Sequence, residues 1–374
     1  MRYKELGKTQ NKISIIGQGL GIGGYMGKPV QYDKLIDVLQ LGVGLGINFL
    51  DTAEVYGNGI SEEILGKAIR DVRQKVFVAT KISPQNLAYK DVIRSAEASL
   101  RRLNIETIDL YQVHWPNPTI PTADTMSAMK KLVGDGKVRY IGVSNFSLSE
   151  LKEAQKCLYP IQLISNQVEY NLFDRSIEEQ IVPYCEQENI TIIAYSPLHR
   201  GKIVNGLTRL KILQEIGRKY NKTPAQVALR WIISHRPIVA ITNTTNPERL
   251  RENALSTDFE LSSEDMDVIG TSCALKPILL PASQIRVSTE TTRLVYTTRK
   301  EALENPLNFV PSPVELAEKI KEGEFLKPVR LIQKDKTKNE FDLVEGRIRY
   351  WAWVIAHGDD APIPALVDES DPIV

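Results

Sequence analysis

From residue 30 to about residue 255 the sequence repeats one unit: a stretch of helical periodicity, a short β-branched and apolar run, then a polar loop. That grammar constrains the chain to a parallel sheet with helical crossovers, because parallel neighbours need a long connection and a helix supplies it. The candidate strands are 15–19, 47–51 (INFLD), 76–80 (VFVAT), 108–113 (IDLYQV), 138–143 (VRYIGV), 162–167 (QLISNQ), 190–195 (ITIIAY) and 238–241 (IVAI). Helical stretches such as DKLIDVLQLGVGLG, SEEILGKAIRDV and TPAQVALRWIISH lie between them, with Ser61, Ser149 and Thr223 as candidate caps. Eight strands in roughly 250 residues favour an α/β (β/α)8 TIM barrel over an open doubly wound sheet, which spacing alone does not exclude. The preceding RYKELGKTQNKIS is expected to form a hairpin around Gly7 that plugs the barrel floor.

The chain has 374 residues, more than one barrel of about 250 residues requires, so a second module near 100 residues is expected. The pattern changes after ELSSEDMDVIGTSCALK, and the boundary is placed near 271, giving domains 1–270 and 271–374. Residues 271–310 lack clean periodicity and are expected to be an irregular linker or a lid. Beyond them follow PSPVELAEKIKEG (helix), FLKPVRLIQKD and NEFDLVEG (strands), RIRYWAWVIAHG (helix) and PIPALVDE (strand). A net charge of +1 with 25% charged residues gives no global attraction to nucleic acid or anionic membrane. Three cysteines, Cys157, Cys185 and Cys273, form no C-x-x-C pair and have no histidine at ligand spacing, so neither a disulfide framework nor a metal site is expected. With no apolar leader and no long apolar span, a cytoplasmic protein is expected.

Chemistry concentrates in a quartet: Asp51 and Tyr56 in FLDTAEVYG, Lys81 in VFVATKI and His114 in IDLYQVHWP. Three of the four stand at or just past a strand end, where the loops of a barrel converge on one mouth. A tyrosine hydroxyl is a weak acid, with a reference pKa of ~10, and a neighbouring ammonium favours its phenolate. Lys81 can supply that charge, Asp51 can hold Lys81, and His114 can hydrogen-bond the oxygen that Tyr56 protonates. GLGIGG at 19–24 has the G-x-G-x-x-G spacing, but YMGKP intervenes before any helix, so it is read as backbone lining the mouth rather than a dinucleotide fingerprint.

Residues 1–270 resemble the aldo-keto reductase superfamily through DTAEVYGNGISEEILGKAI, VFVATKI, IDLYQVHWP, DGKVRYIGVSNF, SNQVEYN, AYSPL, TPAQVALRW and NPERLRENA, in that order. The resemblance implies reduction of an aldehyde or ketone by hydride from NADP(H), with NAD(H) as the alternative. Tyr56 would be the general acid, tuned by Lys81 and Asp51, with His114 orienting the substrate oxygen. Ser144, Asn145 and Gln167 match positions that bind the nicotinamide carboxamide, and Tyr195 the aromatic that stacks on the ring. Ser196, Leu198 and Gly201 fall where the family cradles the pyrophosphate. Thr244, Arg249, Glu252 and Asn253 match the adenosine end, while Asn243 stands where a phosphate-binding lysine is frequent. A guanidinium recognises phosphate bidentately, so Arg249 favours NADP over NAD.

The C-terminal module resembles the small α+β ParB and sulfiredoxin fold over residues 310–367, whose signature is Gly-x-x-Arg at a strand-to-helix turn, here Gly346 to Arg349. That resemblance implies an anion or nucleotide site at Gly346, Arg347 and Arg349; the sulfiredoxin cysteine is absent. An inert scaffold is the competing reading. Trp351 and Trp353 are expected to pack rather than to stack on bases. The expected partner is a small carbonyl compound, phosphorylated or nucleotide-linked if the second module covers the mouth. The alternative is a cofactor-binding redox sensor, or a bifunctional protein whose C-terminal domain binds a nucleotide or nucleic acid.

Overall fold

The computed structural model describes residues 1–21, 32–201, 203, 211–274, 277–287, 296–323, 326–333 and 340–369. Residues 22–24 of GLGIGG, 288–295 of the STETTRLVYTT stretch and the polar turn at 334–339 lie outside the described residues. The chain divides into two compact units, Met1–Cys273 and Ala274–Val374.

The first unit opens with β1 (Tyr3–Glu5) and β2 (Lys12–Ser14), an antiparallel hairpin. Its turn passes through Gly7 at φ +54, where a side chain would meet the Ile164 Cβ and backbone oxygens at about 3 Å. The Gly7 amide donates to Thr191 Oγ1 at 2.7 Å, and Leu6 and Ile13 are fully buried. Ile164 and Thr191 stand near the N-terminal ends of their strands, so the hairpin covers the barrel floor as its sequence predicts.

Then come β3 (Ile16–Gly19), α1 (Tyr32–Gly44), β4 (Phe49–Asp51), α2 (Ile60–Ile69), β5 (Phe77–Ile82), α3 (Tyr89–Leu103), β6 (Ile108–Val113), α4 (Thr122–Gly134) and β7 (Val138–Ser144). They are followed by α5 (Leu148–Leu158), β8 (Leu163–Glu169), α6 (Ile181–Glu188), β9 (Thr191–Tyr195), α7 (Lys211–Tyr220), α8 (Pro224–Ser234), β10 (Ile238–Thr242), α9 (Pro247–Ala254) and α10 (Ser263–Cys273). Strands β3 to β10 pair in parallel and close into a barrel in the order β10-β3-β4-β5-β6-β7-β8-β9. Every residue of β4, β5, β6, β8 and β10 is buried, as strands with a packed lumen on one face and helices on the other require.

Local capping follows sequence in part. Thr223 caps α8 in a reciprocal box with Gln226. Ser61 and Ser149 do not cap: Gly59 precedes α2, and Ser147 caps α5 in a box with Glu150. The signal at α5 was the Ser-x-x-Glu spacing, which begins two residues before Ser149.

The second unit contains β11 (Ile278–Pro281), β12 (Ile285–Arg286), α11 (Arg299–Glu304), α12 (Pro313–Lys321), β13 (Val329–Gln333), β14 (Phe341–Glu345), α13 (Arg347–His357) and β15 (Pro362–Glu369). The strands form one mixed sheet in the order β11-β15-β13-β14-β12. The expectation of an irregular linker or lid over 271–310 is corrected here. Both edge strands of the sheet and α11 come from that stretch, and Ala282, Ile285, Tyr296 and Ala302 are buried in the unit's own core. Strands of two and four residues are too short to show an alternation, so pattern alone missed them. Trp351 is buried with its indole N–H donated to the Tyr296 carbonyl at 3.1 Å, and Trp353 packs against the same core and the His357 ring. Among the described residues no helix is long and apolar enough to cross a membrane.

Candidate active site

The C-terminal strand ends bring the quartet together. Asp51 is the last residue of β4, Lys81 the penultimate residue of β5, and His114 follows β6 directly, while Tyr56 sits in the loop between β4 and α2. Lys81 Nζ lies 2.5 Å from Asp51 Oδ1 and donates to the Thr52 carbonyl at 2.8 Å. The ammonium sits 5.2 Å from the Tyr56 ring centroid. Tyr56 Oη and His114 Nε2 are 3.5 Å apart, with the two rings edge to face. Lys81 is fully buried and Asp51 is 2% exposed. A buried ion pair is retained only where mutual attraction and further hydrogen bonds offset the loss of water. Here Gln167 Nε2 at 2.9 Å and Gln112 Nε2 at 3.3 Å both donate to Asp51 Oδ2, so both carboxylate oxygens are used.

The electrostatics follow. Burial by itself would lower the Lys81 pKa, but the Asp51 carboxylate, Tyr56 and the hydrogen bonds to both outweigh it and hold the ammonium above its usual range. Lys81 is therefore a fixed positive charge at neutral pH. Burial, and secondarily the Lys81 charge, push His114 down to about 3, so its imidazole is neutral at neutral pH.

That shift has a measurable sign. Between about pH 6.5 and 3 the unfolded chain binds a proton at this histidine that the folded chain refuses. Stability therefore falls as pH drops through that window, by up to ~1.4 kcal/mol per pH unit from this group, and the contribution is complete above the unfolded value. In urea titrations across the window, His114→Gln is expected to show a shallower acid limb than the parent; an identical slope would refute the assignment.

The residues read as cofactor ligands line the same mouth. Ser144 ends β7, and its hydroxyl donates to the Gln167 carbonyl at 2.8 Å. Asn145 adopts φ +61, with its amide Nδ2 donating to the His114 carbonyl at 3.1 Å and to Ser144 Oγ at 3.0 Å. Its Oδ1 accepts the Tyr195 hydroxyl at 2.9 Å, which ties the end of β9 to the end of β7. Ser196, Leu198 and Gly201 form a tight turn after β9: Ser196 has φ +50, and the Gly201 amide donates to the Leu198 carbonyl at 3.0 Å.

Beyond β10, Thr244 Oγ1 accepts from the Asn246 amide, and Asn246 caps α9. Arg249, in the first turn of α9, is exposed, and its guanidinium has no hydrogen-bond or ionic partner among the described residues. Glu252 faces the other way, with its carboxylate accepting the Thr223 hydroxyl and its carbonyl accepting Gln226 Nε2, and Asn253 is buried. Asn243 is spent on the Gly21 carbonyl at 3.2 Å. By type, a hydroxyl and two amides suit a neutral carboxamide, which would exchange with some of these internal bonds, and an exposed guanidinium beside a helix start suits a phosphate.

Sequence reasoning overlooked Gln112 and Glu54. Gln112 stands two positions before His114, and period two in a strand puts both on one face, so that signal was available. Glu54 accepts from the Ser83 amide at 2.7 Å and from Asn86 Nδ2 at 3.0 Å, fastening the Tyr56 loop to the loop after β5; no motif announced it.

The C-terminal positions lie at the turn from β14 into α13. Gly346 precedes α13 at φ +93, but Arg349 folds back over it and donates Nη1 to the Lys327 and Pro328 carbonyls, each at 2.9 Å. Those bonds, both from Nη1, hold the approach to β13.

Comparison with known proteins agrees with the barrel reading. The Aldo/keto reductase family model matches residues 18–272. Methylglyoxal reductase YeaE of Escherichia coli (strain K12) is 37% identical over 259 residues, which span 69% of this chain and 90% of that protein. Glyoxal reductase of Bacillus subtilis (strain 168) is 34% identical over 269 residues, 71% of this chain and 92% of the relative. A crystal structure of an aldo/keto reductase from Klebsiella pneumoniae in complex with NADP and acetate aligns with a TM-score of 0.65 at 32% identity, covering 71% of this chain and 93% of that one. Since the family match runs through the barrel from its first strand to its last helix, this chain belongs to the aldo/keto reductase family.

Proposed function

We propose that this protein is an NADP(H)-dependent reductase of small, reactive carbonyl compounds, of the 2-oxoaldehyde and dialdehyde type, with Tyr56 as its proton donor. The observation that carries the reading is the buried Lys81–Asp51 pair beside Tyr56 and a neutral His114. When bound, the nicotinamide supplies the hydride. The chain's part is to bind, orient and protonate. Ser144, Asn145 and Gln167 would hold the carboxamide, Tyr195 would back the ring, and Ser196, Leu198 and Gly201 would pass the pyrophosphate toward Thr244 and Arg249. The complex of the Klebsiella relative with NADP and the exposed Arg249 both favour the phosphorylated cofactor. Glu252 then acts by holding α9 against α8 rather than by touching the ligand.

At the mouth the carbonyl oxygen would accept from His114 Nε2 and Tyr56 Oη, and the Tyr56 proton moves to that oxygen as negative charge develops there. Lys81 keeps the resulting phenolate paired with a positive charge, and Asp51 keeps Lys81 in place. The names of the Escherichia and Bacillus relatives, a methylglyoxal reductase and a glyoxal reductase, support the substrate class. The test is loss of NADPH absorbance with methylglyoxal and glyoxal. Turnover of both, exceeding that of a simple ketone such as acetone, is expected; no turnover of either would overturn the substrate assignment.

The second unit supports a further reading as a ParB/sulfiredoxin-like module, on the order α12, β13, β14, α13, β15 and the Gly346 cap. With Arg349 committed to two carbonyls, an anion there would rely on Arg347 and the first amides of α13. The phosphorylated or nucleotide-linked carbonyl is a separate question of substrate choice, and faster turnover of a phosphorylated aldehyde than of its plain counterpart is the result that would favour it.

A further inference from the structure

One level of the barrel wall, set by the strand register, carries Lys81 on β5, Gln112 on β6, Gly142 on β7 and Ser165 on β8. Gln112 is fully buried, and its amide Nε2 reaches Asp51 Oδ2 at 3.3 Å. Its Oε1 has no hydrogen-bond partner among the described residues. A buried acceptor left unmade is a cost, and a leucine of similar size would fill the lumen without it. The neighbouring strand packs closely here: a Cβ at Gly142 would lie 2.2 Å from Ser165 Oγ and 3.1 Å from both Gln112 Cγ and Leu110 Cδ1. Stability is thus given up for one amide donor aimed at the carboxylate that holds Lys81.

We propose that Gln112 is a positioning residue for proton transfer, locking the Asp51 carboxylate so that Oδ1 faces Lys81 while Oδ2 is shared with Gln167. The inference rests on the assignment of Tyr56 as proton donor. Gln112 stands one residue before the end of β6, and its side-chain hydrogen bond among the described residues runs to Asp51 rather than to a group read as a cofactor ligand. Without its amide, the carboxylate keeps Lys81 on Oδ1 and Gln167 on Oδ2 but loses one of its three side-chain restraints, and a small tilt of the carboxylate moves Lys81 relative to Tyr56. Small misplacement of a catalytic constellation is costly in rate even when binding is intact.

The test is Gln112→Leu in the full chain, with Gln112→Met as a second variant should leucine impair folding. Methylglyoxal reduction is followed by kcat and KM, NADPH affinity by fluorescence titration, and stability by thermal melting. The expected result is a roughly tenfold loss of kcat with KM and NADPH affinity within about twofold of the parent, and a larger primary isotope effect from 4-deuterated NADPH as chemistry becomes slower. The melting temperature is expected to stay within about 2–4 °C of the parent, since the lost donor to Asp51 and the removal of the unmade acceptor oppose each other. A merely structural glutamine would lower stability and affinity together. Parental kcat in either variant, or a kcat loss matched by equal losses of NADPH affinity and melting temperature, overturns the proposal. Tyr56→Phe run alongside separates the two ideas. Retained turnover there removes the proton-donor assignment and this proposal with it, whereas an inactive Tyr56→Phe beside a fully active Gln112→Leu removes only the role of Gln112.

Discussion

Tyr56→Phe is expected to lose about 10²–10⁴-fold in kcat while binding NADPH with nearly parental affinity. The change deletes one oxygen and nothing else. That oxygen is also a hydrogen-bond partner of the Lys81 ammonium, which keeps Asp51 and the Thr52 carbonyl without it, and its contact with His114 Nε2 is 3.5 Å, at the limit of a hydrogen bond. The ring stays edge to face with His114 and near the Lys81 ammonium, so the mouth keeps its shape. Single-turnover reduction of methylglyoxal, with NADPH binding measured on the same sample, checks both halves. A variant that keeps its turnover would show that the proton comes from another group, and a variant that loses cofactor affinity equally would show that Tyr56 serves binding.

Lys81→Met is expected to abolish turnover and to destabilise the barrel by about 3–5 kcal/mol. Removing the cation leaves the Asp51 carboxylate 2% exposed with two amides and no positive charge beside it. An unpaired buried charge costs far more than the pair it came from contributes. The pH dependence gives a second check. Because the Lys81 pKa is raised in the fold, its contribution is complete below the unfolded value near 10.4 and is lost as pH rises through the folded value. The parent should therefore weaken in that alkaline range in a way that Lys81→Met does not. Chemical denaturation of both proteins at neutral and alkaline pH measures the two effects. Unchanged stability in the variant would mean that water or a neighbouring group reaches Asp51. Adding Asp51→Asn to Lys81→Met should recover much of the stability and none of the activity, which isolates the charge from the packing.

The barrel and its quartet were legible because both depend on short-range patterns. A buried parallel strand is a run of apolar residues, a crossover helix has its own period, and a polar residue at a strand's C-terminal end is carried to the mouth by topology alone. Asp51, Lys81 and His114 stand at such ends, so their meeting follows once the strands close. The edges of the second sheet were not legible. Four residues at 278–281 and two at 285–286 become strands only because β15 and β14 lie beside them.

What the amino-acid order determined by itself is which segments of the barrel are strands and helices, and which reactive groups sit at their ends. What only the tertiary structure decided is how those groups are partnered. Asp51 takes Gln112 from 61 residues away and Gln167 from 116, across different strands of one closed wall. Arg349 gives its Nη1 to the backbone carbonyls of Lys327 and Pro328, partners that the sequence did not announce. Local pattern governs the conformation of the backbone, which neighbours in sequence control. Hydrogen-bond partnership in a dry interior depends on which distant donor arrives within about 3 Å, and closure of the chain alone decides that.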